Sequence, residues 1–130
     1  MNVLEIRHAF KVMTYEIDFA GVVSNLVYVR WLEDLRNLFA ERTLPLGSLL
    51  ERGIAPTLAR TEIDYLAPAR LSEVIEARMW MEEAGRARFV LGAEFTSRAS
   101  GQVTARAKQI GVFVSVESGR PVPLPAEYRP

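Results

Sequence analysis

One long helical pattern runs through residues 26–39 of this 130-residue chain, and the rest has to be arranged around it. Tyr28, Trp31, Leu32, Leu35, Leu38 and Phe39 recur at spacings of three and four, the period of one helix face. Arg30, Glu33, Asp34, Asn37 and Glu41 fall mostly opposite, while Val27 and Val29 widen the apolar surface, so burial over more than one face is expected. Ser24 and Asn25, just upstream, are favoured N-cap types whose side chains accept from the free N–H groups of a first turn. Pro45 ends the pattern. Leu46 to Arg52 has room for one or two further turns, with Gly53 as the stop.

The start of this helix has a chemical reading. A helix N-terminus presents unpaired N–H donors and a partial positive charge, which can hold a developing oxyanion. Asp18 lies upstream, on a loop that Gly21 allows to turn tightly. An acid beside such a helix end suits attack on a carbonyl. The plainer alternative is a solvated loop acid and a simple cap.

The remaining segments read as strands. In residues 4–14, Leu4, Ile6, His8, Phe10 and Val12 share one side, which puts His8 on the more apolar face as a packed or interface residue. Residues 57–66 alternate β-branched and aromatic residues until Pro68 interrupts. In residues 74–83, Val74, Glu76, Arg78, Trp80 and Glu82 oppose Ile75, Ala77, Met79 and Met81. Phe89, Leu91, Ala93 and Phe95 alternate within residues 88–97, and a long strand spans 103–116. Gly85, Gly101 and Gly119 mark turns between them, and the prolines of residues 121–125 extend the tail. A helix followed by four strands on short turns predicts an antiparallel meander, curved around the one helix that it covers. The expected class is α+β, in a single domain over residues 1–130, a length too short for two ordinary domains.

Composition narrows the function. Formal net charge is zero and no basic block occurs, which argues against nucleic acid as partner. With no cysteine, disulfides, thiolate metal sites and cysteine nucleophiles are excluded, and the lone His8 cannot build a histidine metal site. No metal is expected. There is no G-x-S-x-G, G-x-G-x-x-G or P-loop. No apolar run is long enough to span a membrane, so the expectation is a cytoplasmic protein without a membrane partner. An enzyme built from this chain would work with carboxylates, hydroxyls, backbone amides and arginines, the last numbering 14 against 2 lysines.

The stretch Asp18-Phe19-Ala20-Gly21-Val22-Val23, followed by Tyr28-Val29-Arg30-Trp31-Leu32-Glu33, resembles hotdog-fold thioesterases of the 4-hydroxybenzoyl-CoA thioesterase family. These carry Asp-x-x-Gly-(hydrophobic)-Val, then Tyr-x-x-(aromatic)-x-(acid) on a helix. Ile63-Asp64-Tyr65-Leu66-Ala67-Pro68 and Gly119-Arg120-Pro121-Val122-Pro123-Leu124-Pro125 resemble two further family segments, so the similarity covers nearly the whole chain.

The resemblance implies a hotdog fold, a curved antiparallel sheet wrapped around one long central helix, and hydrolysis of an acyl-CoA thioester. It makes Asp18 the catalytic nucleophile or general base and the Asn25 backbone N–H the oxyanion donor, with Ser24 beside it. It points to Gly21, Tyr28, Thr57, Arg60, Arg86 and Arg88 for substrate and CoA binding, arginine forks being suited to phosphate. No cofactor is implied beyond the CoA of the substrate. A homo-oligomer, dimer or tetramer, is implied too, because hotdog subunits pair their sheets and share sites. Glu62 and Asp64 are read as sheet-edge charges. Where many bacterial members have Tyr-His-Ala-Asn-Tyr, this chain has Ser24-Asn25-Leu26-Val27-Tyr28, closer to the Asn-Asn pair of plant and acyl-carrier-protein types. An acyl-carrier-protein thioesterase and a non-catalytic binder of acyl thioesters therefore stand as alternatives.

Overall fold

The computed structural model describes residues 4–128. The elements run β1 (Glu5–Lys11), α1 (Asn25–Thr43), α2 (Leu46–Glu51), β2 (Ile54–Tyr65), β3 (Val74–Ala84), β4 (Arg88–Ser97), β5 (Val103–Ser115) and β6 (Pro121–Val122). The helix begins at the expected cap, Ser24, and stops at Leu44 before Pro45. Gly53 closes the second helical stretch with φ of 71°, a conformation that costs glycine little.

The strands form one antiparallel sheet in the order β1-β3-β4-β5-β2, with β6 pairing the end of β5. The expected meander therefore holds only for β3, β4 and β5. β2 does not neighbour β3; it pairs with the far side of β5, from Ile54 opposite Ser115 to Tyr65 opposite Ala105. The reason lies in the connection. Leu66 and Ala67 both donate to the Thr104 carbonyl, and Val23 donates to that of Ala69, so the segment after β2 is bound across the end of the sheet instead of turning back as a hairpin. β1 then takes the free edge of β3, with Phe10 opposite Ile75.

The inner face carries small residues where the helix lies: Ala77, Ala93, Ala105 and Ala107. They let α1 sink into the curve, and Trp31, Leu32, Leu35 and Phe39 are all at most 1% exposed. Phe10 stacks on Trp31 with centroids 4.8 Å apart, and Tyr28 meets Phe95 edge-on at 5.2 Å. Burying aromatic side chains of this kind contributes about 1.5–3 kcal/mol each.

Of the two places expected for His8, packed or at an interface, the packed one does not hold. The residue shares a face with Ile6 and Phe10 but is exposed, its ring only edging Phe10 at 4.7 Å. β1 is the outermost strand, and although Phe10 on the same face packs against Trp31 of α1, the His8 side chain two residues before it is left open to solvent. Met79 lies on the inner face with Ile75 and Ala77 and is fully buried, whereas on the outer face Trp80 lies flat over Gly92 with the Arg78 guanidinium 4.5 Å from its ring. Among the described residues no helix is long and apolar enough to cross a membrane.

Candidate active site

The loop leading into α1 is a small closed structure. Ile17 and Val23 bridge across its base, the Asp18 N–H donates to the Val22 carbonyl at 2.9 Å, and the Gly21 N–H donates to the Asp18 carbonyl at 2.9 Å. Gly21 sits at φ of 79°, with no atom within 4 Å of where a Cβ would be, so backbone conformation alone selects glycine there. One carboxylate oxygen of Asp18, Oδ1, accepts from the N–H groups of Ala20 (2.8 Å) and Val22 (3.4 Å). No other bond to the carboxylate forms among the described residues, and Asp18 is exposed. The acid is thus held by one oxygen, leaving the other open to solvent.

Ser24 caps the helix, its Oγ accepting from the Leu26 N–H at 3.3 Å. The backbone N–H of Asn25, first residue of α1, has no acceptor among the described residues. It is one of the orphan donors that a helix start leaves open. The Asn25 side chain is also exposed and unbonded, while the Asn25 backbone carbonyl accepts a long 3.4 Å hydrogen bond from the Tyr65 hydroxyl. Val22, Val23, Asn25, Tyr28 and Tyr65, with residues 66–69, line a cleft of about 270 Å³. Tyr28 is 3% exposed, donates to Thr104 Oγ1 at 3.0 Å, and has its phenol pushed up in pKa by burial. It forms the floor of the cleft more than a ligand-facing group.

Asp18, Gly21, Ser24, Asn25 and Tyr28 are therefore brought together, and the remaining candidates are not. Thr57 lines a second cavity, of about 350 Å³, against the C-terminal half of α1. Arg60 pairs with Glu62 at 2.5 Å on the exposed strand β2. Arg86 and Arg88 are exposed at the β3–β4 turn, at the opposite end of the sheet from Asp18, and Arg88 lies 3.9 Å from Glu83. Glu62 and Asp64 face Lys108 and Arg106 across β5, as edge charges. Among the described residues no group of three or more histidine, aspartate or glutamate side chains is placed to hold a metal.

Two features were missed in the sequence. Glu16 is only 5% exposed and accepts from Met13 N–H, Arg30 and Trp31 Nε1. Arg36, on the wall of the second cavity, donates to Gln109 at 2.9 Å and Gln109 to Thr61 at 3.2 Å, and burial holds the Arg36 pKa below its usual range. Neither has a signal in a single sequence, because an acid or amide in a polar stretch gives no sign of the donors that will converge on it.

Solved structures with the same fold include a 4-hydroxybenzoyl-CoA thioesterase, as an aspartate-to-asparagine variant in complex with 4-hydroxybenzoyl-CoA. It is 26% identical, with a TM-score of 0.86 and 95% of each chain covered. A hypothetical protein from Thermus thermophilus is 28% identical, with a TM-score of 0.82 over 96% of this chain and 92% of that one. A 1,4-dihydroxy-2-naphthoyl-CoA thioesterase from Synechocystis is 23% identical, with a TM-score of 0.86 over 96% of this chain and 93% of that one. No curated protein matches the chain. Residues 12–129, nearly the whole chain and the entire site loop included, match the model of one family, and on that match this hotdog-fold chain belongs to the thioesterase-like superfamily.

Proposed function

We propose that this chain hydrolyses an acyl-CoA thioester to the free acid and CoA. The observation that carries the reading is the pairing of an Asn25 N–H without an acceptor with a half-committed Asp18 carboxylate on the adjoining loop. The thioester carbonyl accepts from the Asn25 N–H, which polarises it and stabilises the oxyanion formed on attack; such a donor contributes about 3–4 kcal/mol to the barrier. Asp18 then acts in one of two ways. Its free oxygen attacks the carbonyl carbon, the C–S bond breaks, CoA leaves as thiolate, and water hydrolyses the resulting anhydride. Alternatively it takes a proton from water, whose oxygen makes the attack. Ser24 holds the helix start in place. No cofactor is needed beyond the CoA of the substrate, and the protein acts in the cytoplasm.

The working unit is a homo-oligomer, a dimer or a tetramer. β2 is a 12-residue edge strand with mostly exposed residues, an open ladder that favours pairing. Phe19 and Leu26, beside the site, are almost fully exposed and gain cover from a second copy. Two β2 strands paired antiparallel about a two-fold axis set the Thr57 end of one beside the Tyr65 end of the other. That arrangement lends Thr57 and Arg60 of one copy to the cleft of its partner, with Arg86 and Arg88 available to the CoA phosphates.

Free-thiol release from a panel of acyl-CoAs tests the reading, starting with 4-hydroxybenzoyl-CoA because of the 26% identical neighbour, then short and long fatty acyl-CoAs. The expected result is turnover of one class, reduced by about 10²–10⁴-fold in Asp18→Asn with unchanged thermal stability. Full turnover in that variant removes Asp18 from the mechanism. No release from any member moves the function to an acyl-carrier-protein substrate or to binding alone.

A further inference from the structure

Three donors converge on one buried side chain just upstream of the site. Glu16 Oε1 accepts from the Met13 N–H at 2.9 Å; Oε2 accepts from Arg30 Nη2 at 2.5 Å and from Trp31 Nε1 at 3.2 Å. A glutamate carboxyl offers acceptor positions on both oxygens, and here all three donors are met. The backbone of the same residue continues the link, for the Glu16 carbonyl accepts from the Ser24 N–H at 3.0 Å. Asp18 is two residues along the chain from Glu16, and Asn25 is one residue beyond Ser24. Both groups assigned to the reaction hang from Glu16, one through the chain and one through the Ser24 hydrogen bond. Arg30 and Trp31, which the carboxylate grips, stand on the second turn of the helix whose first N–H is the oxyanion donor.

Stability alone does not call for this arrangement. A buried carboxylate is costly to desolvate, and a packed apolar residue at such a position is often neutral or stabilising. Directional bonds achieve what apolar packing does not: they fix the angle between the loop and the helix. We infer that Glu16 is the positioning residue of the site, setting the Asp18 carboxylate against the Asn25 N–H; this rests on the thioesterase reading above.

The test replaces Glu16 by Gln, which keeps the shape but turns an amide N–H₂ against one of the three donors. Arg30→Met serves as a second variant, since Arg30 is half exposed and its loss leaves the core intact. A displacement of about 1 Å costs about a hundredfold in turnover. The expected result for Glu16→Gln is therefore a fall in kcat of that order at a fully folded population, with KM changed less than about threefold, and a smaller fall in the same direction for Arg30→Met. In an Asp18→Asn background the Glu16 substitution adds much less than it does alone, because the pairing of the Asp18 carboxylate with the Asn25 N–H that it sets is already broken. A purely structural role would instead lower the folded fraction and leave kcat per folded molecule unchanged, which overturns the proposal. Full additivity of the two substitutions overturns it equally. A readout without catalysis separates this proposal from the function on which it rests. In Glu16→Gln the amides of Asp18, Gly21 and Ser24 should exchange with solvent at least about tenfold faster than in the wild type, while those of β4 and β5 are unchanged. Should the wild type cleave no thioester, the thioesterase reading fails and exchange alone decides: faster exchange confined to the loop upholds the clamp, and equal exchange refutes it.

Discussion

At its N-terminal end α1 leans on polar groups: Ser24 on the cap, Glu16 on Arg30 and Trp31, the Asp18 loop closed by its own amides. At its C-terminal end it leans on rings. Phe39 meets Tyr128 edge-on at 6.1 Å, and Tyr128 meets Phe89 and Phe113 at 5.5 and 4.9 Å. Tyr28 and Trp31 bury rings at the first end too, so what sets that end apart is the directional bonds added to the burial. Hydrogen bonds are directional but contribute only about 0.5–1.5 kcal/mol each, net of water. Apolar burial is not directional and contributes more. A helix held this way can have its first turn oriented for chemistry while its last turns rest on burial alone.

That division is open to test, and its largest expected effect is at the aromatic end. Phe39 is 1% exposed and its removal leaves a void beside an existing cavity. Phe39→Ala should cost about 3–5 kcal/mol by denaturant unfolding. Turnover per folded molecule should hold, because nothing polar at the helix start is disturbed. If turnover per folded molecule fell with stability, the two ends would be one cooperative unit and the comparison would break.

An intermediate effect is expected at Gly21. Alanine there is forced into the left-handed region at a cost of about 1–2 kcal/mol, although space for its Cβ is free. The strain falls on the turn that holds Asp18, so Gly21→Ala should lose far more turnover than Phe39→Ala for much less loss of stability. Measuring kcat and unfolding free energy on both variants places them at opposite corners of one plot. Equal ratios of activity loss to stability loss would refute the division.

The sequence carried α1 almost to the residue, because its apolar period, its Ser24 cap and its Pro45 stop are all local. Strand limits were nearly as legible for β3, β4 and β5. The sheet order was not. β2 reads like any alternating strand, and its pairing with β5 is set by where residues 66–73 cross the sheet end, which no local period encodes. The site divides the same way. Asp18, Gly21 and Asn25 stand close in the chain and were found together; Glu16, two residues away, was passed over because its burial depends on Trp31 and Arg30 folding back over it. His8 shows the same limit: alternation placed it on the apolar face correctly, but alternation says nothing about whether a neighbour packs over it.

The smallest effect is expected at Ser24, and it sharpens the comparison most finely. The Ser24 Oγ to Leu26 N–H bond is 3.3 Å, long for a cap, so Ser24→Ala should cost about 0.5–1 kcal/mol, the low end for such a change. The Asn25 N–H stays where it is, since the Ser24 backbone still donates to Glu16 and still accepts from Val27. Turnover should stay within about threefold of wild type if the hydroxyl only caps. A loss comparable to that of Asp18→Asn would mean that the hydroxyl itself meets the substrate. The cap would then count among the reacting groups, and the polar end of α1 would owe its character to chemistry rather than to orientation.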